Sequence, residues 1–147
     1  MENIIFRKAT FDDLDNILEI GNLIAEFDVS ETPVSFWDYE TLEKCLSDET
    51  SGLILTAYNE NELAGFVIVT YNLVFKKAII EDMYVPAKFR NLGIAKRLYS
   101  MVINEAKENG IDTITIMTEF NNTSIINFFE KNGFDKFQNQ VQLILNL

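Results

Sequence analysis

Three features of the sequence predict an α/β fold, a mixed sheet flanked by helices. Short apolar runs suited to strands alternate with segments whose apolar residues recur at helical spacing. One stretch, Ala78 to Ala106 (AIIEDMYVPAKFRNLGIAKRLYSMVINEA), reads as a strand, a break at Pro86, a basic turn and an amphipathic helix. A further β-rich run, DTITIMTE from Asp112 to Glu119, follows that helix, and a strand–helix–strand crossover is expected to be parallel and right-handed.

In chain order, Asn3 to Lys8 (NIIFRK) is a short strand. Thr10 and Asp13 form a helix-start pair ahead of apolar positions Leu14, Ile17, Leu18 and Ile24. Glu26 to Phe36 is irregular and acidic, Pro33 marks a restart, and Trp37, Tyr39, Leu42 and Leu46 suggest a second helix. Gly52 to Tyr58 and Glu62 to Tyr71 read as a hairpin around Asn59-Glu60-Asn61. From Ala78 to Val85, strict alternation would send Ala78, Ile80, Asp82 and Tyr84 one way and Ile79, Glu81, Met83 and Val85 the other. The next helix buries Ile94, Leu98, Met101, Val102 and Ala106 and stops at Gly110. Asn122 or Thr123 caps a last helix carrying Ile125, Phe128 and Phe129, closed by Gly133. Val141, Leu143, Leu145 and Leu147 alternate, so Gln140 to Leu147 is expected as a final edge-side strand.

The chain, 147 residues and 48% hydrophobic, is long enough for one domain, 1–147, around a sizeable core. A formal charge of −11 argues against nucleic acid, whose backbone needs a basic surface, and favours encounter with cationic substrates. The one cysteine, Cys45, cannot form an internal disulfide, so a reducing compartment is expected, and with no leader or spanning segment read, a cytoplasmic one. No histidine is present, which removes His-based triads and the commonest metal ligand. Cys45 lies on a helical stretch with no neighbouring base to activate it, and reads as a structural thiol.

The turn from Arg90 to Ala95 carries the strongest chemical signal. A helix start leaves N–H groups unpaired and adds partial positive charge, a ready anion site. Gly93 lets a ligand approach the backbone, and Lys88, Arg90 and Lys96 add positive charge. The turn is not a Walker A loop and lacks the three glycines of the dinucleotide fingerprint, so a nucleotide-phosphate binder is disfavoured. The preceding strand carries adjacent carboxylates, Glu81 and Asp82, in an otherwise apolar run, where burial is costly unless the groups are paired or functional.

Arg90-x-x-Gly93-x-Ala95, after a strand ending Met83-Tyr84-Val85-Pro86, resembles the acetyl-coenzyme A signature of the GNAT superfamily of N-acetyltransferases. Asn122 to Phe134 is similar to that family's second landmark, an Asn followed by a helix ending Glu-Lys-x-Gly-Phe. The Glu-Asp pair resembles the diamine and aminoglycoside branches. The resemblance implies the GNAT acyl-CoA N-acyltransferase fold and transfer of acetyl from acetyl-coenzyme A to a primary amine by direct attack. It implies backbone contacts to the pantetheine arm from Met83, Tyr84 and Val85, and to the diphosphate from Arg90, Asn91, Leu92, Gly93, Ile94, Ala95 and Lys96. Asn122 and Phe129 fall at cofactor-contacting positions, and no metal is implied. Glu81 is the base of choice, Asp82 the second choice and more structural. The segment holding Phe27, Asp28, Glu31, Phe36, Trp37 and Tyr39 would wall the acceptor site.

At the position where many members carry a Tyr that protonates the departing thiolate, this chain has Phe129, which has no proton to give. Tyr84 is a substitute acid and so is Tyr99, while a thiol of pKa about 8.5 leaves with little help. Phe129 also motivates the alternative of a catalytically weak or silent acyl-CoA-binding module. A protein amine as acceptor is a further alternative, and association into a homodimer stays open.

Overall fold

A computed structural model describes residues 3–26, 36–118, 121–137, 143, 145 and 147. The chain divides into two compact units, 1–116 and 117–147.

The first unit is built on a five-stranded sheet in the order β1-β2-β3-β4-β5. Strands β1 (Ile4–Lys8), β2 (Gly52–Asn59), β3 (Glu62–Asn72) and β4 (Lys77–Tyr84) pair antiparallel in succession. Strand β5 (Thr113–Ile116) joins β4 in parallel, as the strand–helix–strand order requires. It is shorter than the expected 112–119 run: Asp112, Met117 and Thr118 lie outside the ladder. β4 stops at Tyr84 rather than Val85, because Pro86 has no N–H to continue the pairing.

Helices α1 (Leu14–Glu26) and α2 (Tyr39–Ser47) cover one face, and α3 (Ile94–Glu108) covers the other. Leu14, Ile17 and Leu42 close a core with Ile54, Tyr58, Phe66 and Ile68. On the opposite face α3 buries Ile94, Leu98, Val102 and Ala106 at the 3.6-residue period, with Met101 half-buried beside them. Two glycines set how close these layers come. A Cβ on Gly21 would run into the Phe36 ring, so the bare backbone of α1 seats Phe36, which meets Phe66 edge-on at 6.1 Å. A Cβ on Gly65 would meet Ile94 Cγ2 at 2.9 Å and Leu98 Cδ1 at 3.3 Å, so β3 draws in the first turns of α3.

The entry to α1 is pinned by Asp13, which ends a 3-10 turn, Phe11–Asp13. Its carboxylate accepts two bonds from the Arg7 guanidinium, at 2.6 and 2.8 Å, and one from the Thr10 N–H at 2.7 Å. Burial works against the charge, but the hydrogen bonds from Arg7, the Thr10 N–H and Tyr58 outweigh it and bring Asp13 down to about 2.

The second unit contains α4 (Thr123–Lys131), ended by Gly133 at φ 94. Phe129 is its buried centre, edge-on to Phe128 at 5.2 Å and Phe134 at 5.0 Å. Most of the expected Gln140–Leu147 strand lies outside the described residues, as do Glu119 and residues 27–35 with Phe27, Asp28, Glu31 and Pro33.

Candidate active site

Strand β4 departs from strict alternation at one residue. Ile68 faces Asp82 and Val69 faces Ile80, so Glu81 is an extra residue with no partner on β3. Cross-strand partners share a face, so Tyr84 stands with Phe66, Asp82 with Ile68 and Ile79 with Thr70, all on the α1/α2 side. Ala78, Ile80 and Met83 turn to the α3 side. The bulge brings Glu81 to the α1/α2 side as well: its Oε1 accepts from Thr70 Oγ1 at 2.5 Å. This corrects the expectation that Glu81 and Asp82 point apart.

Asp82 is held from the helix side, Trp37 Nε1 donating to its Oδ2 at 2.5 Å. Burial pushes the Asp82 carboxyl up and the Glu81 charge beside it adds to the rise, while the indole hydrogen bond pulls the other way. Phe36 and Trp37 are half-buried against the core, and Tyr39 opens α2 with 42% of its surface exposed. Of the expected acceptor wall, Phe36 and Trp37 therefore stand over the carboxylate face. Thr70 is a partner that sequence reading missed. The sequence did carry a signal: two adjacent acids in an apolar strand are accommodated together where a bulge turns both to one side.

The β4–β5 ladder ends at Ile80–Ile116, while β4 runs on to Tyr84. On that edge the backbone from Glu81 to Tyr84 has no β5 partner, as a chain-like ligand lying along the strand requires. Beyond Pro86, Ala87–Phe89 form a 3-10 turn and Phe89 is buried. Asn91 at φ 62 and Gly93 at φ 79 are both left-handed and lead into α3. Arg97 N–H bonds the Gly93 carbonyl as the first intrahelical link, which leaves the N–H groups of Ile94, Ala95 and Lys96 outside the helical ladder. Asn91, Leu92, Gly93 and Lys96 are exposed, whereas the Ile94 side chain is buried under Gly65.

The charged side chains around the turn are placed differently from one another. Lys88 is paired with Glu62. Arg90 folds back, donating Nε to the Val85 carbonyl at 3.0 Å with its guanidinium 5.8 Å from the Tyr84 ring. That bond takes the Val85 carbonyl. Tyr84 packs on Phe66 at 6.4 Å. Burial pushes the Tyr99 phenol, on α3, upward. In the second unit Asn122 takes the N-cap position of α4, but its side chain makes no cap hydrogen bond and instead accepts from Ser124 Oγ at 3.4 Å. Burial also pushes up the Cys45 thiol, on α2, as a structural cysteine requires. Among the described residues no His, Cys, Asp or Glu group could hold a metal ion, and no helix is long and apolar enough to cross a membrane.

The model of the acetyltransferase (GNAT) family matches residues 17–134. The chain belongs to this family. Its fold and its class as an acyltransferase are those the strand–turn–helix stretch implied. Among curated relatives, the uncharacterized N-acetyltransferase YhfO of Bacillus subtilis is 29% identical over 112 residues, 74% of this chain and 75% of the relative. An aminoglycoside acetyltransferase from an uncultured soil metagenomic sample, solved with sisomicin, has a TM-score of 0.77 at 19% identity, covering 99% of this chain and 97% of its own. The PaiA N-acetyltransferase of Thermoplasma acidophilum, solved with coenzyme A, has a TM-score of 0.77 at 22% identity, covering 90% and 89%. At these identities the two structures establish the shared GNAT fold.

Proposed function

We propose that the chain transfers an acetyl group from acetyl-coenzyme A to the primary amine of a small cationic substrate, by direct attack of the amine on the thioester. The observation that carries this reading is the β4 bulge: it sets Glu81 and Asp82 on one face, where an ammonium group meets two carboxylates, beside a strand edge that β5 does not reach. The N–H groups from Asn91 to Lys96 hold the diphosphate, the helix start and the left-handed pair at Asn91 and Gly93 presenting them outward, while the Arg90 N–H, expected in the same role, is taken by the Ala87 carbonyl at 3.2 Å. Backbone groups of Met83, Tyr84 and Val85 take the pantetheine arm, with one N–H polarising the thioester carbonyl. Asn122 and Phe129, on the second unit, fall at positions that the family resemblance assigns to cofactor contact.

Glu81 accepts the amine proton, directly or through water, and Tyr84 on the same face returns one to the departing thiolate. The charge of −11 supports a cationic acceptor by steering it to the surface. The family match crosses the boundary between the two units, which supports a single acetyltransferase domain over 1–147. The single cysteine supports residence in the reducing cytoplasm.

Calorimetry with coenzyme A, followed by thiol release from acetyl-coenzyme A across polyamines, aminoglycosides and peptide amines, tests the proposal. The expected result is coenzyme A binding with turnover on small cationic amines. Binding without thiol release for any amine would leave a silent acyl-CoA module. Turnover confined to peptides would overturn the acceptor class.

A further inference from the structure

The acceptor face contains a link that joins distant parts of the chain. Trp37, in the segment entering α2, donates its indole N–H to Asp82, 45 positions later on β4, at 2.5 Å. Thr70 of β3 holds Glu81 at the same distance. Each carboxylate therefore has one oxygen fixed by a neutral donor and keeps the other for a further one. Among the described residues no lysine or arginine makes an ion pair with either acid.

We propose that Trp37 is a positioning residue: its indole N–H clamps Asp82 on the acceptor face beside Glu81 and so builds the two-carboxylate seat for a cationic amine. This rests on the acetyl-transfer reading of β4. Around Asp82, β3 presents Thr70 and the segment before α2 presents Phe36 and Trp37, none ionisable. The titratable groups on the same face are Glu81 and Tyr84 on β4, Tyr58 on β2 and Cys45 on α2. A carboxylate tethered beside a second one, with no cation at hand, gains most when a cation arrives. Loosening the tether weakens amine binding without touching the α3 turn.

Trp37 is the chain's one tryptophan, so one indole N–H resonance reports the clamp directly. In the full-length protein that resonance is expected to lie downfield, to titrate with pH above the ordinary carboxylate range, and to lose the titration in Asp82→Asn. Trp37→Phe keeps an aromatic ring without the donor; it is expected to raise KM about tenfold for the amine that turns over best, with kcat changed less than about threefold and coenzyme A affinity unchanged. Aspartate-to-asparagine exchange that leaves the indole titration intact would overturn the proposal. So would a Trp37→Phe enzyme with wild-type KM. Failure of the acetyl-transfer reading shows separately, as wild-type protein that does not bind coenzyme A while its indole still titrates.

Discussion

Replacing Gly93 with alanine separates the turn's conformational role from its part in binding. Gly93 sits at φ 79 and ψ 9, a left-handed conformation that costs an L-residue about 1–2 kcal/mol. For a chain of this length, that corresponds to a melting temperature lower by about 3–8 °C. If alanine instead relaxes the turn, the N–H groups of Ile94, Ala95 and Lys96 no longer converge. Loss of one hydrogen bond to a charged diphosphate oxygen costs about 1.5–3 kcal/mol, a drop of about 10- to 100-fold in coenzyme A affinity. Calorimetry with coenzyme A and with pantetheine, which lacks the diphosphate, reads the two apart. The expected outcome is a large loss for coenzyme A and none for pantetheine. A lower melting temperature with unchanged coenzyme A affinity, or equal losses for both ligands, would refute the assignment of the diphosphate to this turn.

Glu81→Gln keeps a partner for Thr70 Oγ1 but removes the base, and should lower kcat about 10²- to 10⁴-fold; an unchanged rate removes Glu81 from the mechanism. Asp13, held at about 2 against an ordinary 3.8, contributes stability that is complete above the unfolded value and lost as pH falls through the folded one. That contribution is about 2 kcal/mol, so urea melts of wild type and Asp13→Asn should differ at pH 7 and converge near pH 2; a gap that persists there contradicts the pairing. The Tyr71 hydroxyl is buried without a hydrogen-bond partner among the described residues, and burial, with Glu105 and Cys45 adding, pushes it up to about 12. Tyr71→Phe should therefore raise stability by about 1 kcal/mol in thermal melts; a fall would show that the hydroxyl is bonded in solution.

The strand–turn–helix around Arg90 was legible because its signals are local. Pro86 cannot pair, Gly93 adopts a left-handed conformation at little cost, and the apolar period from Ile94 to Ala106 needs no partner to be recognised. The same holds for the Thr10–Asp13 start and the glycine stops at 110 and 133. The facing of the two carboxylates was not legible. It depends on a one-residue slip between β3 and β4, and nothing within β4 states its register with a neighbour.

The sequence alone therefore carried the order of the described elements and the break, turn and helix start around Arg90, since each follows from periodicity or from one residue's backbone preferences, while the choice of Glu81 as base came from the family resemblance. Only the tertiary structure decided that Glu81 and Asp82 share a face, that Thr70 and Trp37 hold them, and that Arg90 folds back onto Val85 and Tyr84. The physical reason is separation: the Trp37–Asp82 hydrogen bond spans 45 residues, and a 2.5 Å contact between such distant positions is created by sheet register and helix packing together.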